Sequence, residues 1–170
     1  MTAATTASAN HPADTPAPRY WLMKSEPDDC SIDRLAGLPQ QTVPWTGVRN
    51  YQARNFMRDA MRIGDGVLFH HSSCPEPGVA GLARVASTTR PDPTQFDPAS
   101  AWHDPKSSPN APRWLLLDVQ FVRKTRLLGL AEMRRRAELS DLLVLKPGNR
   151  LSITPVTADE WAAVLALLER

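Results

Sequence analysis

The chain has 170 residues, enough for one domain with a sizeable core, and its 42% hydrophobic and 22% charged residues exclude a disordered chain. A net charge of +2 permits nucleic-acid binding without demanding it, because proteins held by bulk attraction to phosphate are usually more basic. Two cysteines, Cys30 and Cys74, are too few for a disulfide scaffold. They predict a reduced setting, cytoplasmic in a bacterium and nuclear in a eukaryote.

Residues 1–18 are predicted to form a disordered tail. They are rich in Ala, Thr and Pro and lack both the basic and the apolar region of a secretory signal. Such a composition buries too little apolar surface to offset chain entropy. No apolar run approaches the roughly 20 residues that span a bilayer. We therefore expect residues 19–170 to form a single domain, monomeric and without membrane contact.

Short strands and helices alternate in the first half of the predicted domain. The run at residues 19–24 is aromatic and aliphatic, which is typical of a buried strand. A helix is predicted over residues 50–61, where apolar residues recur at helical spacing. The other predicted elements of this half are a short helix at residues 32–35, an edge strand at 42–45, and two paired strands at 67–71 and 79–86.

A long loop separates the two halves of the domain. Six prolines between residues 88 and 113 prevent long regular elements, and a loop of this length is usually functional or mobile. Residues 114–122 then predict the longest strand, with one face formed by Leu115, Leu117, Val119 and Phe121. The remaining predicted elements are a helix at residues 128–139, a strand at 151–156, and a terminal helix that begins with a capping box at 157–160.

This order of elements favours an α+β fold. Five or six strands, with neighbours joined as hairpins, predict a mainly antiparallel or mixed sheet that is curved or barrel-like, and short helices pack around it. The sequence has no Gly-rich phosphate loop and no regular βαβ alternation. A nucleotide-cofactor fold is therefore not expected, and we expect no cofactor.

One stretch, residues 45–55, carries a mixture of side chains that suits neither a core element nor a plain loop. It contains an indole, a tyrosine, arginines and asparagines within eleven residues. An aromatic face can stack on a flat ring, an amide can pair with the edge of that ring, and cations can bind a nearby phosphate. The stretch therefore predicts a nucleobase pocket. The same residues also fit a helix start with a buried Trp.

Five segments in the same order resemble the EVE domain family, and the resemblance extends over nearly all of residues 19–170. They are YWLMKSEP at 20–27, WTGVRNYQARN at 45–55, GDGVLFHHSSC at 64–74, DPKS at 104–107 with PRW at 112–114, and RLSITPV at 150–156. The resemblance implies a PUA-like fold, a small curved β-barrel with helices at its ends. It also implies recognition of a modified base in nucleic acid, with modified cytosine as one suggested ligand.

The resemblance extends to YTH domains, which read methylated adenine in RNA. Their pattern uses a Lys-Ser strand end and a downstream Trp to build an aromatic cage, and Lys24, Ser25 and Trp45 stand in comparable places here. We assign Trp45 the stacking face, with Asn50 and Ser25 at the base edge. The complete predicted base pocket comprises Lys24, Ser25, Trp45, Val48, Asn50, Tyr51, His70 and Ser72. The predicted phosphate and sugar contacts are Arg49, Arg54 and Lys106.

Two other functions fit parts of the sequence. Cys74 and His70 could form the nucleophile and base of a small hydrolase or nuclease, although nothing identifies a third orienting group. A metal site from His70, Cys74 and His103 lacks any familiar ligand spacing, so we expect none. The loop at residues 88–113 is the natural surface of a protein-interaction module. We expect a binding module that is not an enzyme, with DNA or RNA as partner, or a nucleotide-like ligand.

Overall fold

The computed structural model describes residue 17 and residues 19–170, so the predicted tail lies almost entirely outside the described residues. The strands are β1 (Tyr20–Ser25), β2 (Thr42–Pro44), β3 (Gly66–His71), β4 (Gly78–Val85), β5 (Arg90–Pro91), β6 (Leu115–Leu116), β7 (Asp118–Gly129) and β8 (Ile153–Val156). The α-helices are α1 (Pro27–Cys30), α2 (Ile32–Gly37), α3 (Tyr51–Asp59), α4 (Leu130–Arg134) and α5 (Ala158–Leu168). None of the helices in the described ranges is long and apolar enough to cross a membrane.

Six strands form one mixed sheet in the order β2-β7-β4-β3-β1-β8, and β5 pairs separately with β6. The β1–β3 pair is parallel, and the other pairs are antiparallel. Register shifts interrupt the β3–β4 and β4–β7 ladders, and such bulges bend strands. The predicted α+β, PUA-like class is confirmed, with a curved sheet that stays open between β2 and β8 in place of a closed barrel.

Alternation along the central strands divides the apolar residues into two cores. On β1, Trp21 and Met23 face one side, while Leu22 faces the other, because successive side chains of a strand point to opposite faces. The first core lies under α2 and α3 and includes Trp21, Met23, Ile32, Trp45, Met57 and Phe69. The second core lies under α4 and α5 and includes Leu22, Leu68, Leu128, Met133, Val164 and Leu168.

The predicted helix at residues 128–139 is wrong. Strand β7 continues to Gly129, and only Leu130–Arg134 is α-helical. Exposure alternates along β7, and Leu128 and Gly129 pair with Val79 and Gly78 of β4, so ladder hydrogen bonds override the helical propensity. The predicted strand at 114–122 is also divided: Leu115 belongs to β6, while Leu117, Val119 and Phe121 contribute to the first core.

A buried hydrogen bond fixes the start of the sheet. The Trp21 indole Nε1 donates to Asp65 Oδ2 at 2.9 Å, and the same oxygen accepts a bond from the Arg62 backbone N–H at 2.9 Å. Trp21 is 3% exposed and Asp65 is 5% exposed. Losing the indole would leave a buried carboxylate short of a donor and the first core short of volume.

We therefore expect Trp21→Phe to lower the free energy of unfolding by about 2–4 kcal/mol in urea denaturation. Trp161→Phe is the matched control, since Trp161 is only half-buried and stacks on Tyr20 with ring centroids 4.5 Å apart. A phenyl ring keeps that stacking, so the control should cost less than about 1 kcal/mol. Equal losses in the two variants would contradict a special role for the Trp21–Asp65 bond.

Candidate nucleic-acid interface

Asn50 sets the start of α3 and, with it, the position of the residues that follow. Its backbone is extended, and its side-chain Oδ1 accepts bonds from the backbone N–H groups of Gln52 and Ala53 at 2.8 and 3.1 Å. This is the N-cap arrangement that satisfies otherwise unpaired donors of the first turn. Tyr51 therefore stands at the first helical position and is 51% exposed. Asn50 itself is exposed, and its amide N–H₂ makes no hydrogen bond within the described residues.

An ion pair joins the segment before α3 to the long loop. Arg49 Nη1 lies 3.0 Å from Asp92 Oδ2, and the Asp92 side chain is fully buried. The guanidinium also donates to Thr94 Oγ1 and to the backbone carbonyls of Val48 and Trp102. These bonds use all five N–H groups of Arg49. The side chain predicted to contact phosphate therefore connects two segments of the protein and keeps no donor for a ligand.

The Asp92 carboxylate is held in its ionised form by this network. Burial alone would raise its pKa, but hydrogen bonds from the Thr94 hydroxyl and from the Gly47 and Thr94 backbone N–H groups, together with Arg49, hold the pKa below its usual range. Further along the loop, Gln95 is fully buried and makes four side-chain bonds, two of them to the backbone of Trp114. The loop is thus an ordered part of the domain.

Three aromatic rings form what we call the aromatic array: Tyr51, Trp102 and Trp114. Tyr51 stacks on Trp114 with ring centroids 4.7 Å apart and an interplanar angle of 27°. The Arg54 guanidinium lies 4.7 Å from the Tyr51 centroid, and that of Arg49 lies 5.6 Å from Trp114 and 6.0 Å from Trp102. Trp114 is buried, whereas Tyr51 and Trp102 are 51% and 45% exposed. The array therefore presents two supported aromatic rings to solvent.

Gly47 allows Trp102 to approach the backbone. Its φ is +83°, a conformation that favours glycine, and a Cβ at this position would lie 2.8 Å from the Trp102 ring. Gly47 thus allows the turn and also leaves room for the Trp102 ring against the backbone. Nothing in the sequence pattern links residue 47 to residue 102, which is why the prediction omitted Trp102.

Cationic side chains lie around the array. Arg54 donates to Asn55 Oδ1 and to the Arg113 carbonyl, which leaves two of its five N–H groups unused. Lys106 is exposed and Arg113 is half-buried, and neither side chain hydrogen-bonds within the described part of the chain. Arg54, Lys106 and Arg113 therefore retain side-chain donors that no group in the described residues uses.

Trp45, predicted to supply the stacking face, lies in the first core instead. It is 8% exposed and meets Phe69 edge to face, with ring centroids 5.7 Å apart. Val48 is likewise buried, at 4% exposed. An indole that offers so little surface cannot stack a base without leaving the core. Of the aromatic residues assigned to the predicted pocket, only Tyr51 presents an open ring.

The strand-end residues do not share one pocket with the array. Ser25 Oγ donates to the Cys30 carbonyl at 2.7 Å, and the Ser72 backbone N–H donates to the Ser25 carbonyl at 3.0 Å. Lys24 and His70 pair in the parallel β1–β3 register, and alternation puts them on the second-core face, opposite Trp45. The sheet therefore separates Lys24 and His70 from Trp45, although the sequence predicted all three in one pocket.

The segment at residues 70–74 does not contain a nucleophile hydrogen-bonded to a general base. Neither ring nitrogen of His70 has a hydrogen-bond partner, and the Cys74 thiol is not bonded to a histidine within the described residues. No group of three or more metal-binding side chains occurs in the part of the chain that the structure describes. Burial raises the pKa of the other free thiol, Cys30, and so disfavours its thiolate.

Comparison with known proteins gives the family. The chain belongs to the EVE domain family, whose model matches residues 19–167. Human thymocyte nuclear protein 1 is 44% identical over 168 residues, which cover 89% of this chain and 74% of that protein. A Pseudomonas putida protein of known crystal structure is 49% identical and superimposes with a TM-score of 0.83, covering 87% of this chain and 98% of its own.

A second solved structure contains nucleic acid. The human THYN1 protein in complex with 5-methylcytosine-containing DNA superimposes with a TM-score of 0.85 at 42% identity, covering 89% of this chain and 98% of that one.

We expect Gly47→Ala to displace Trp102 as well as to strain the turn. Gly64→Ala is the matched control, because Gly64 has a φ of +93° but nothing lies within 4 Å of an added Cβ. Backbone strain should cost about 1–2 kcal/mol in both variants, and the clash should add about 1–3 kcal/mol at Gly47 only. Urea denaturation measures both losses. Equal destabilisation would mean that Trp102 moves away without cost.

His70 should make stability depend on pH in a defined window. Burial, followed by the nearby Lys24 charge, lowers its pKa to about 4. The unfolded chain binds a proton near pH 6.5 and the folded chain does not until near pH 4, so stability is fully present above pH 6.5 and declines as pH falls toward 4. The loss should reach about 3 kcal/mol.

Chemical denaturation at a series of pH values tests this expectation. His70→Phe should flatten the decline, whereas His103→Phe, at an exposed loop position, should keep the wild-type dependence. A His70→Phe profile parallel to that of the wild type would show that other groups cause the decline.

Proposed function

We propose that this protein is a nucleic-acid-binding module that recognises a modified base, and that the aromatic array is the surface on which the base stacks. The observation that carries the proposal is the pair of half-exposed rings, Tyr51 and Trp102, held among guanidinium groups. The human relative in complex with 5-methylcytosine-containing DNA supports the same kind of ligand. Modified cytosine is therefore the first base to test.

Stacking supplies most of the binding energy in this proposal. Each base that stacks on an aromatic side chain contributes about 1–3 kcal/mol, and the contribution is tolerant of sequence because every base has a flat face. Tyr51 stacks on Trp114, and Trp102 packs against Gly47. Both rings are therefore held in place before a base binds, which reduces the entropy cost of binding. A methyl group on the base adds apolar surface against these rings.

Asn50 is the residue best placed to contact the base edge. Its Oδ1 is occupied by the α3 cap, which leaves the amide N–H₂ as a donor beside the Tyr51 ring. A donor fixed in this way favours an acceptor on the base edge, such as a carbonyl or an unprotonated ring nitrogen. The two capping bonds also fix the orientation of the Asn50 amide, and they thereby orient its N–H₂ group for a contact with the base edge.

Phosphate contacts fall to Arg54, Lys106 and Arg113. These side chains lie around the array and keep unused donors, whereas Arg49 does not. A local group of cations explains how a chain with a net charge of only +2 can bind a polyanion. A base within a duplex would have to leave the stack first, at a cost of about a few kcal/mol that a single strand avoids.

Binding without catalysis fits the surroundings of the reactive side chains better than either alternative does. His70 is 2% exposed on the second-core face, where it meets no nucleophile, so the Cys74 and His70 hydrolase lacks its central contact. The loop at residues 88–113 is tied to α3 by Arg49 and Asp92, and it contributes Trp102 to the array. That loop is therefore assigned to the base site and not to a separate protein partner.

The test is a binding screen with single-stranded oligonucleotides that carry cytosine, 5-methylcytosine or other modified bases at one position. Tyr51→Ala and Trp102→Ala should each weaken binding of the preferred oligonucleotide about 5- to 100-fold, which corresponds to the loss of one stacking contact. Arg54→Gln should weaken binding to all sequences alike and reduce its salt dependence.

Arg84→Gln is the matched control for Arg54→Gln, because Arg84 is exposed on β4 and bonds only to Gln120. It should bind as the wild type does. The proposal fails if no modification changes the affinity relative to cytosine, or if Tyr51→Ala and Trp102→Ala both bind the preferred oligonucleotide with wild-type affinity.

A further inference from the structure

Two buried side chains with unpartnered polar atoms, His70 and Thr154, lie on the second-core face of the sheet. Among the described residues, the buried side-chain atoms without a hydrogen-bond partner are both ring nitrogens of His70, Oγ1 of Thr154 and Nε of Arg136. Thr154 lies opposite Leu22, a member of the second core, and His70 follows the same alternation on β3. Buried polar groups in proteins are normally paired with protein groups or ordered water, so two such side chains on one face mark a candidate binding site.

Lys24 brings a positive charge to the same place. It lies opposite His70 in the β1–β3 register and is half-buried, and no carboxylate in the described ranges forms an ion pair with it. Burial lowers the pKa of its ammonium group, and no acidic neighbour counteracts that effect. Glu26, two residues away, does not pair with it. A partly desolvated cation without a protein counter-charge is complementary to an anion.

Lys24, His70 and Ser152 occupy neighbouring positions across the end of the sheet. Neighbouring strands lie about 4.8 Å apart, so side chains that share a face and a register position can reach the same small group. Lys24 offers an ammonium group, and His70, neutral near pH 7, offers one ring N–H. On the other side of Lys24 lies Ser152, whose carbonyl accepts a bond from the Lys24 backbone N–H at 2.9 Å and whose hydroxyl is a further donor.

We propose that the Lys24–His70 end of the β1–β3 ladder is a binding site for a phosphate group. A tetrahedral oxyanion accepts hydrogen bonds from several directions at once, and Lys binds phosphate as a point charge. A neutral base edge would leave the Lys24 charge uncompensated. A metal cation would be repelled by it.

This site goes beyond the base recognition proposed above and does not depend on it. The aromatic array lies on the α3 side of the sheet, whereas Lys24 and His70 face the second core. The phosphate could come from a free nucleotide, as a monoester, or from a nucleic-acid backbone, as a diester. Both share the chemistry that the site recognises, and their relative affinities identify the source.

The test follows the His70 ring by NMR while the folded protein is titrated with inorganic phosphate, a nucleoside 5′-monophosphate and dimethyl phosphate. Sodium chloride at matched ionic strength controls for screening. At least one phosphate ligand should shift the His70 ring signals in a saturable manner. Lys24→Met keeps the apolar stem of the side chain and removes its charge, and it should weaken that binding about tenfold or more.

Lys124→Met is the matched control, because Lys124 is an exposed lysine on β7 that pairs with Asp33. It should bind phosphate as the wild type does. A stronger response to the monophosphate assigns the site to free nucleotides, and a stronger response to dimethyl phosphate assigns it to a nucleic-acid backbone. The proposal is overturned if no phosphate ligand moves the His70 signals beyond the chloride control, or if Lys24→Met binds with unchanged affinity. Neither result would alter oligonucleotide binding through Tyr51 and Trp102, so the two proposals fail separately.

Discussion

The ion pair between Arg49 and Asp92 is the interaction on which the candidate base site depends. Asp92 is fully buried, so removing either partner would leave an uncompensated charge, at a cost of about 3–5 kcal/mol. The pair ties the segment before α3 to the loop that carries Trp102, and Arg49 also lies beside Trp102 and Trp114. An arginine suits this place because its fixed fork of donors can satisfy a carboxylate, a hydroxyl and backbone carbonyls together. Its role is to hold the aromatic surface in shape.

The two faces of one sheet carry side chains of different chemistry. The first-core face carries α3 and, at its N-terminus, a surface of rings and guanidinium groups suited to flat, aromatic ligands. The second-core face ends in Lys24 and His70, a small polar group suited to a compact anion. Strand alternation produces this division without any additional structure, because successive residues at a strand end point to opposite sides. Trp45 and Lys24 belong to neighbouring motifs and still cannot line one cavity.

Local patterns predicted most of the fold. The capping box at Thr157, the strand at β3 and the edge position of β2 all follow from short-range chemistry, and the family resemblance implied the PUA-like class. The end of β7 was not predicted, because its pairing with β4 depends on residues about 50 positions away and overrides helical propensity. Three residues of the predicted pocket and phosphate contacts, Asn50, Tyr51 and Arg54, lie at the aromatic array, which is the proposed base site. Trp102 and Asp92 were missed because no local signal links them to Gly47 and Arg49.

The place of β1 in the sheet has a consequence for how the chain folds. This first strand lies between β3 and β8, so it pairs on one side with residues 66–71 and on the other with residues 153–156. Pairing β1 with β8 closes a loop of about 130 residues. The entropy lost in closing this loop opposes the pairing until the ladder hydrogen bonds form. During synthesis, the hairpin of β3 and β4 can form early. The pairing of β1 with β8 can form only after nearly the whole chain has been made. The strand that begins the domain is therefore among the last to be completed.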